Sequence, residues 1–215
     1  ADNGNSRIQL WLMNASNGIT AAGRSDGTHG SSPDALFGPT AIIFDADDNM
    51  YIMDRDNARV VFWPKNAANG TTIAGTTGTK DTQLCFCISS VIQRFQHSKE
   101  YSSAAYRFLC KYISGFLGTG NSFSGATSIA LDPNSSTLYV ADSNNHRVMR
   151  YLVNATSGTV VAGGNGPGLN DTQLWLPYGI AFDASSNSLL ITNFDRHNVV
   201  RWVIGTSSWT IAAGS

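Results

Sequence analysis

The phrase ADSNNHRVMRYL at residues 141–152 returns as ADNGNSRIQLWL at the start of the chain and, more loosely, as MDRDNARVVFWP. Recurrence constrains this fold more than any composition figure, because a unit spelled again in register is a unit built again. With Arg7, Arg59 and Arg147 as anchors, Gly23, Gly75 and Gly163 each follow 16 residues later, and Asn198 leads to Gly214 by the same step. Five residues ahead of the anchors stand Asp2, Asp54, Asp142 and Asn193, and nine or ten further back come Asp45, Asp132 and Asp183. Four copies therefore share one frame. The anchors are 52, 88 and 51 residues apart, a period of array architectures rather than of a single irregular core.

The best copy divides into TSIALD, TLYVAD, RVMRYL and TVVAG, four short strand-like runs separated by turn residues. Four antiparallel strands repeated in this way predict a propeller blade. Runs such as Tyr139, Val140, Ala141 and Ile42, Ile43, Phe44 break strict alternation, as expected of sheets covered on both faces. A blade pressed between two neighbours is covered so, and each buried Val, Ile or Leu contributes about 1.5–3 kcal/mol. One blade alone is expected to be marginal.

Here the pattern resembles the NHL repeat family of β-propellers, through LPYGIAFDASSNSLLITNFDRHNVV, GATSIALDPNSSTLYVADSNNHRVMRYL and FGPTAIIFDADDNMYIMDRDNARVVFW. The match covers most of residues 1–84 and 123–215. The resemblance implies a propeller, often of six blades, that presents loops around a central channel. Most such relatives bind protein, RNA or glycan partners, while some are the substrate-binding parts of ubiquitin ligases, lyases or receptor kinases. This chain shows no RING zinc ligands and no kinase loop.

Composition narrows the partner. The chain has 215 residues, 42% of them hydrophobic, with 14 basic and 15 acidic side chains that nearly cancel. Neither sign forms a block, so general nucleic-acid binding is not expected. Glycine at 21 and charge at 13% fit many short strands joined by tight turns. No apolar run reaches the roughly 18 residues of a membrane span. The opening ADNGN lacks an initiator Met and a signal peptide, which suggests a removed start or a fragment.

The Asp and Arg of each copy flank a short connection such as SNNH and face one another across a hairpin. Asp54 with Arg59 and Asp142 with Arg147 read as structural clamps, worth roughly 0.2–1 kcal/mol each if exposed and more if a neighbouring blade shields them. In the last copy both partners change together, to Asn193 and Asn198, which fits mutual contact better than two separate catalytic roles. His146 and His197 share a slot in consecutive copies and are the weak metal candidates, for they have no Cys or carboxylate pattern beside them. His29 and His97 have no partner at any ligand spacing. Asp45, Asp132 and Asp183 read as turn residues in preference to calcium ligands. The clusters AGG and GNGPG follow a final strand and supply positive φ. No GxSxG, HExxH or Walker sequence is present, and no catalytic residue or cofactor is assigned. Trp11, Trp63, Tyr151 and Trp202 occupy a further common slot, suited to blade packing ahead of sugar or base stacking.

Residues 85–122 break the frame. DTQL at 81–84 recurs at 171–174, where it runs into WLPYGIAFD, but here it leads into a stretch holding Cys85, Cys87 and Cys110. From Tyr101 onward, apolar residues three or four apart form a helical stripe. A helical insertion, an eroded blade and retained non-coding sequence remain open readings. Three cysteines give no disulfide framework. The expected organisation is thus propeller blades over 1–84 with the first incomplete, an atypical stretch over 85–122, and two further blades over 123–215. The fold class is all-β, a partial propeller of about four sectors of four-stranded antiparallel blades.

Glycosylation acceptors of the form Asn-X-Ser/Thr occur at Asn14, Asn69, Asn134, Asn154 and Asn170. Asn14 and Asn154 each lie seven residues after an anchor, in the loop joining the outer strands, and this favours extracellular or cell-surface placement over a cytoplasmic one. The leading expectation is a noncatalytic propeller scaffold that binds a protein or glycan partner through blade-end loops. Its rivals are a lyase- or lactonase-type propeller with a channel metal, and an RNA-binding or ubiquitin-ligase-associated module.

Overall fold

The computed structural model describes residues 1–76 and 121–214. These form an all-β array of antiparallel meanders. Blade 1 holds β1 (Ile8–Leu10) and β2 (Ile19–Ala22), extended by an isolated Asp2–Arg7 bridge. Blade 2 runs β3 (Pro39–Phe44), β4 (Met50–Asp54), β5 (Arg59–Trp63) and β6 (Thr71–Gly75). Blade 3 runs β7 (Ser128–Leu131), β8 (Leu138–Asp142), β9 (Arg147–Tyr151) and β10 (Thr159–Gly163). Blade 4 runs β11 (Pro177–Asp183), β12 (Ser188–Asn193), β13 (Asn198–Val203) and β14 (Thr210–Gly214). In each complete blade, strand order in the sheet equals order in the chain. No helix among the described residues is long and apolar enough to cross a membrane. Of the stretch 85–122, only Asn121 and Ser122 are described, so the expectations for it lie outside the described residues.

The repeated phrase is the corner between the second and third strands. It forms a single 3-10 turn, Asn3–Asn5, Arg55–Asn57, Ser143–Asn145 or Phe194–Arg196, closed by a left-handed residue, Ser6, Ala58, His146 or His197. The glycine 16 residues beyond each anchor follows from that corner. Gly23, Gly75, Gly163 and Gly214 have φ of 80, 84, 67 and 84°, and a Cβ on each would stand 2.8, 2.3, 2.4 and 2.7 Å from the carbonyl oxygen of that left-handed residue. Only glycine combines the positive φ with so close an approach. A register shift between the last two strands recurs at Ile8/Gln9, Val60/Val61, Val160/Ala162 and Val199/Val200, a bulge that increases local twist.

The apolar core is not inside blades but between them. One cluster joins Ile8 and Ala22 of blade 1 to Ile52, Val61 and Trp63 of blade 2. The next joins Met53, Val60 and Ala74 to Ile129, Val140 and Tyr151 of blade 3. The last joins Val148 and Ala162 to Ile191, Val200 and Trp202 of blade 4. Each interface is plugged by one residue of the loop leading into the following blade: Leu36, Phe123 and Leu174, at 0, 1 and 0% exposure. The sheets are thus covered on both faces wherever a neighbour stands, which is why their strands do not alternate cleanly.

Candidate functional site

The corner side chains are anchored from three directions. In blade 2, Asp54 Oδ2 accepts from Arg59 Nε at 2.7 Å and from Asn57 Nδ2 at 2.8 Å, while its Oδ1 accepts the N–H of Phe37 at 2.6 Å. In blade 3, Asp142 Oδ2 accepts from Arg147 Nε at 2.8 Å and Asn145 Nδ2 at 2.9 Å, and Oδ1 takes the N–H of Ser124 at 2.8 Å. The guanidinium groups reach on to backbone carbonyls of the loop that precedes the blade, Arg59 to Ser31 and Ala35, Arg147 to Ser122. Each pair therefore ties a corner to the interblade loop, not merely one strand to the next. Both carboxylates are fully buried, so these are interior ion pairs, unlike the exposed hairpin pair that would be worth only a fraction of a kilocalorie per mole. Burial pushes both carboxyls up, against the lowering effect of their Arg, Asn and backbone N–H partners.

The pair is half-exposed in blade 1, where Arg7 Nε meets Asp2 Oδ2 at 3.0 Å. In blade 4 Asn193 and Asn198 stand directly opposite each other, and Asn193 Oδ1 accepts the N–H of Trp175 at 2.6 Å.

The two histidines of the shared slot have different surroundings. His146 is buried and its Nδ1 accepts the N–H of Leu176 in the next blade at 3.1 Å, whereas His197 is exposed. Among the described residues, no group of three His, Cys, Asp or Glu side chains is placed to hold a metal. Asp45, Asp132 and Asp183 close the turns between first and second strands: Asp45 accepts the N–H of Asp47 and Asn49, Asp132 that of Asn134, and Asp183 that of Ser185. Trp63, Tyr151 and Trp202 are buried against the preceding blade, and Trp11, which has no such neighbour among the described residues, is 62% exposed. The side chains of Asn14, Asn69, Asn134, Asn154 and Asn170 belong to exposed residues.

One aromatic pair at the corner end breaks the repeat. In blade 4, Tyr178 and Phe194 lie with ring centroids 5.9 Å apart and are 57 and 56% exposed. Thr40 and Arg55 occupy the corresponding positions of blade 2, Thr127 and Ser143 those of blade 3. The aromatic pair therefore departs from the repeat at two neighbouring slots, and that departure is the signal by which the sequence could have disclosed it. Two hydroxyls fix the backbone at Tyr178: Thr127 Oγ1 donates to the Tyr178 carbonyl at 2.6 Å, and Thr192 Oγ1 accepts the Gly179 N–H at 2.6 Å.

Residues 123–151, from the plug Phe123 to the buried Tyr151, match the family model for the NHL repeat. No curated protein matches the chain. Among solved structures, it is similar to an auxiliary nutrient binding protein from Bacteroides thetaiotaomicron, with 12% identity over 93% of this chain and 43% of that one and a TM-score of 0.58. It is also similar to virginiamycin B lyase from Staphylococcus aureus, with 11% identity over 100% of this chain and 50% of that one and a TM-score of 0.54. The chain thus spans half or less of the length of these structures. At such identities the likeness concerns fold alone, and it agrees with the meander of stacked sheets. The match to the NHL repeat covers β7 to β9 of blade 3, around the buried Asp142–Arg147 pair, and the array that contains them has the propeller fold.

Proposed function

We infer that this chain is part of a noncatalytic propeller scaffold that binds a protein or glycan partner at the end of the blades carrying the 3-10 corners. The observation that carries this reading is the Tyr178–Phe194 pair, two exposed rings side by side at slots where the other complete blades hold Thr, Arg or Ser. Exposed neighbouring aromatics offer a large apolar contact at small entropic cost. The repeated charged residues support the same reading, since Asp54, Arg59, Asp142 and Arg147 are consumed in holding corners to loops. Extracellular or cell-surface placement belongs to the proposal and is supported by the exposure of all five Asn-X-Ser/Thr acceptors.

The test is binding to arrayed glycans and to purified candidate ectodomains, read for the chain and for a Tyr178→Ala/Phe194→Ala variant. The expected result is saturable binding that falls at least about tenfold in the variant, with an unchanged melting temperature. Equal binding by the variant refutes the assignment of the site. Metal-dependent lyase or lactonase turnover, or RNA retention that is lost with salt, refutes the functional class.

A further inference from the structure

The turn between the last two strands of a blade is built in one way throughout. Ala15, Ala67 and Ala155 donate their N–H to the carbonyls of Leu12, Pro64 and Leu152 at 3.0 Å, and Thr206 donates to Val203 at 3.1 Å. The third residue of each turn has positive φ: Asn14 at 63°, Asn66 at 62°, Asn154 at 61° and Gly205 at 95°. Such a position takes Gly or Asn for backbone reasons alone. The residue two further on is under no such constraint, and it is Ser16, Ala68, Thr156 or Ser207. Asn14 and Asn154 therefore complete an Asn-X-Ser/Thr acceptor, and Asn66 does not.

The turns of blades 2 and 3 differ in what they leave in water. Blade 2 presents Pro64 and Lys65, whose Nζ meets Asp48 Oδ2 at 2.8 Å. Blade 3 presents Leu152 and Val153, 56 and 58% exposed, immediately before Asn154. With Tyr51, Phe62 and Ile73 of blade 2 and Leu138 of blade 3, they line a groove of about 530 Å³, within the roughly 300–1,000 Å³ of small-ligand sites. The Tyr51 and Phe62 rings meet edge-on at 5.2 Å. Phe62 stands where blades 3 and 4 carry Arg150 and Arg201, so this groove is apolar where the later blades are charged. An exposed apolar groove calls for a cover, and the acceptor amide of Asn154 belongs to its lining.

Given the extracellular placement proposed above, on which this assignment rests, we propose that Asn154 carries an N-linked oligosaccharide whose first N-acetylhexosamines lie in the groove. Their pyranose C–H faces and acetyl methyls cover Phe62, Leu152 and Val153. Attachment joins Asn154 Nδ2 to the anomeric carbon of the first sugar. The bond from that carbon to the pyrophosphate oxygen of a polyprenyl donor breaks, the polyprenyl pyrophosphate leaves, and the amide nitrogen gives up one proton to water. In a meander, the turns after the first and third strands fall at the end opposite the corners. The sugar at Asn154 thus leaves the Tyr178–Phe194 pair free.

The experiment secretes the whole chain from a eukaryotic host beside a Thr156→Ala variant. That change removes the acceptor at an exposed residue but keeps Asn154 and the Thr156 carbonyl, which receives Asn121 Nδ2 at 2.7 Å. Peptide mapping by mass spectrometry reads carbohydrate at Asn154, and hydroxyl-radical footprinting reads side-chain access. The expected result is an occupied Asn154, with Phe62, Leu152 and Val153 protected from labelling in the wild-type chain and open in the variant. Phe44 and Val203, exposed apolar residues outside the groove, should be labelled equally in both. The variant should melt about 2–4 °C lower. Made in a bacterial cytosol, where neither chain is glycosylated, the two should melt together; a like difference there makes the loss a property of the threonine and overturns the proposal. A bare Asn154 beside another occupied acceptor overturns it and leaves the extracellular placement standing, whereas carbohydrate at none of the five acceptors overturns both. Equal labelling of Phe62, Leu152 and Val153 in the two secreted chains puts the sugar in solvent and overturns it. Equal protection of those residues in the bacterial chain does so too, by assigning the cover to the polypeptide.

Discussion

Asn193 and Asn198 face one another across β12 and β13 in the register where Asp54 faces Arg59 and Asp142 faces Arg147. The carboxylate-like half of the clamp survives, since Asn193 Oδ1 still holds the N–H of Trp175 at 2.6 Å. The guanidinium half has moved to another residue. Trp209 Nε1 donates to the Gln173 carbonyl at 2.8 Å, the carbonyl two residues before the held N–H, which in blade 2 is Ala35 and receives Arg59 at 2.9 Å. Arg196 lies over the Trp209 ring at 5.6 Å and keeps a positive charge near the corner.

This arrangement predicts strong coupling at the amide pair. Asn193→Asp places a carboxylate at a fully buried position with no cation opposite, and should cost roughly 3 kcal/mol. Adding Asn198→Arg should recover at least about 1 kcal/mol of that loss. A double-mutant cycle by urea denaturation measures the difference; simple additivity contradicts the exchange of one clamp for another.

The clamps should also differ in weight by blade. Arg147→Ala strands the buried Asp142 carboxylate and is expected to lower stability by roughly 3–5 kcal/mol. Arg7→Ala removes a pair whose side chains are 24 and 29% exposed, and should cost about 1 kcal/mol or less. Chemical denaturation of the two variants gives the comparison, and equal losses would show that shielding by a neighbouring blade does not set the energetics.

A glycine pair offers a test of packing alone. A Cβ at Gly158 would meet the Tyr151 ring at 2.5 Å, whereas one at Gly4 meets nothing within 4 Å. Gly158→Ala should destabilise by about 1–3 kcal/mol through forced displacement of the ring, and Gly4→Ala by less than about 0.5 kcal/mol. Thermal melting of both variants, with near-equal midpoints as the contrary outcome, decides whether the aromatic slot is as tightly filled as the distances state.

The architecture was legible because its cause is periodic. Asp, Arg and Gly recur at fixed steps since each blade needs the same corner, the same hold on a preceding N–H and the same close approach to a left-handed carbonyl. The depth of the clamps was not legible. A hairpin spacing gives partners across two strands but not the third contact, which comes from Phe37 or Ser124 in a loop far back along the chain. The plugs Leu36, Phe123 and Leu174 keep the repeat frame to within one residue, 23, 24 and 24 residues before Arg59, Arg147 and Asn198, but as single apolar residues in irregular segments they carry no strand pattern that marks them. Tyr178 and Phe194 carried no periodic signal, because they stand where the repeat is broken.

Acid titration provides the last prediction. Hydrogen bonds from Arg24, then Ser32, lower the Asp34 carboxyl from 3.8 to about 2, and bonds from Ser185, Ser186 and Arg201 lower Asp183 further still. For such groups the unfolded chain binds the proton more readily, so their stabilisation is complete above the ordinary value of 3.8 and is lost as pH falls toward the folded value. Asp54 and Asp142 act in the opposite sense, because burial raises them and the folded state takes up the proton first. The melting temperature should therefore fall as pH drops from 3.8 to about 2, with the slope carried by the outer carboxylates and not by the buried clamps. Asp34→Asn should flatten that limb and Asp142→Asn should leave its slope in place, although the second variant melts lower throughout. An acid limb unchanged by Asp34→Asn but flattened by Asp142→Asn would reverse the assignment and make the interior pairs the acid-sensitive element.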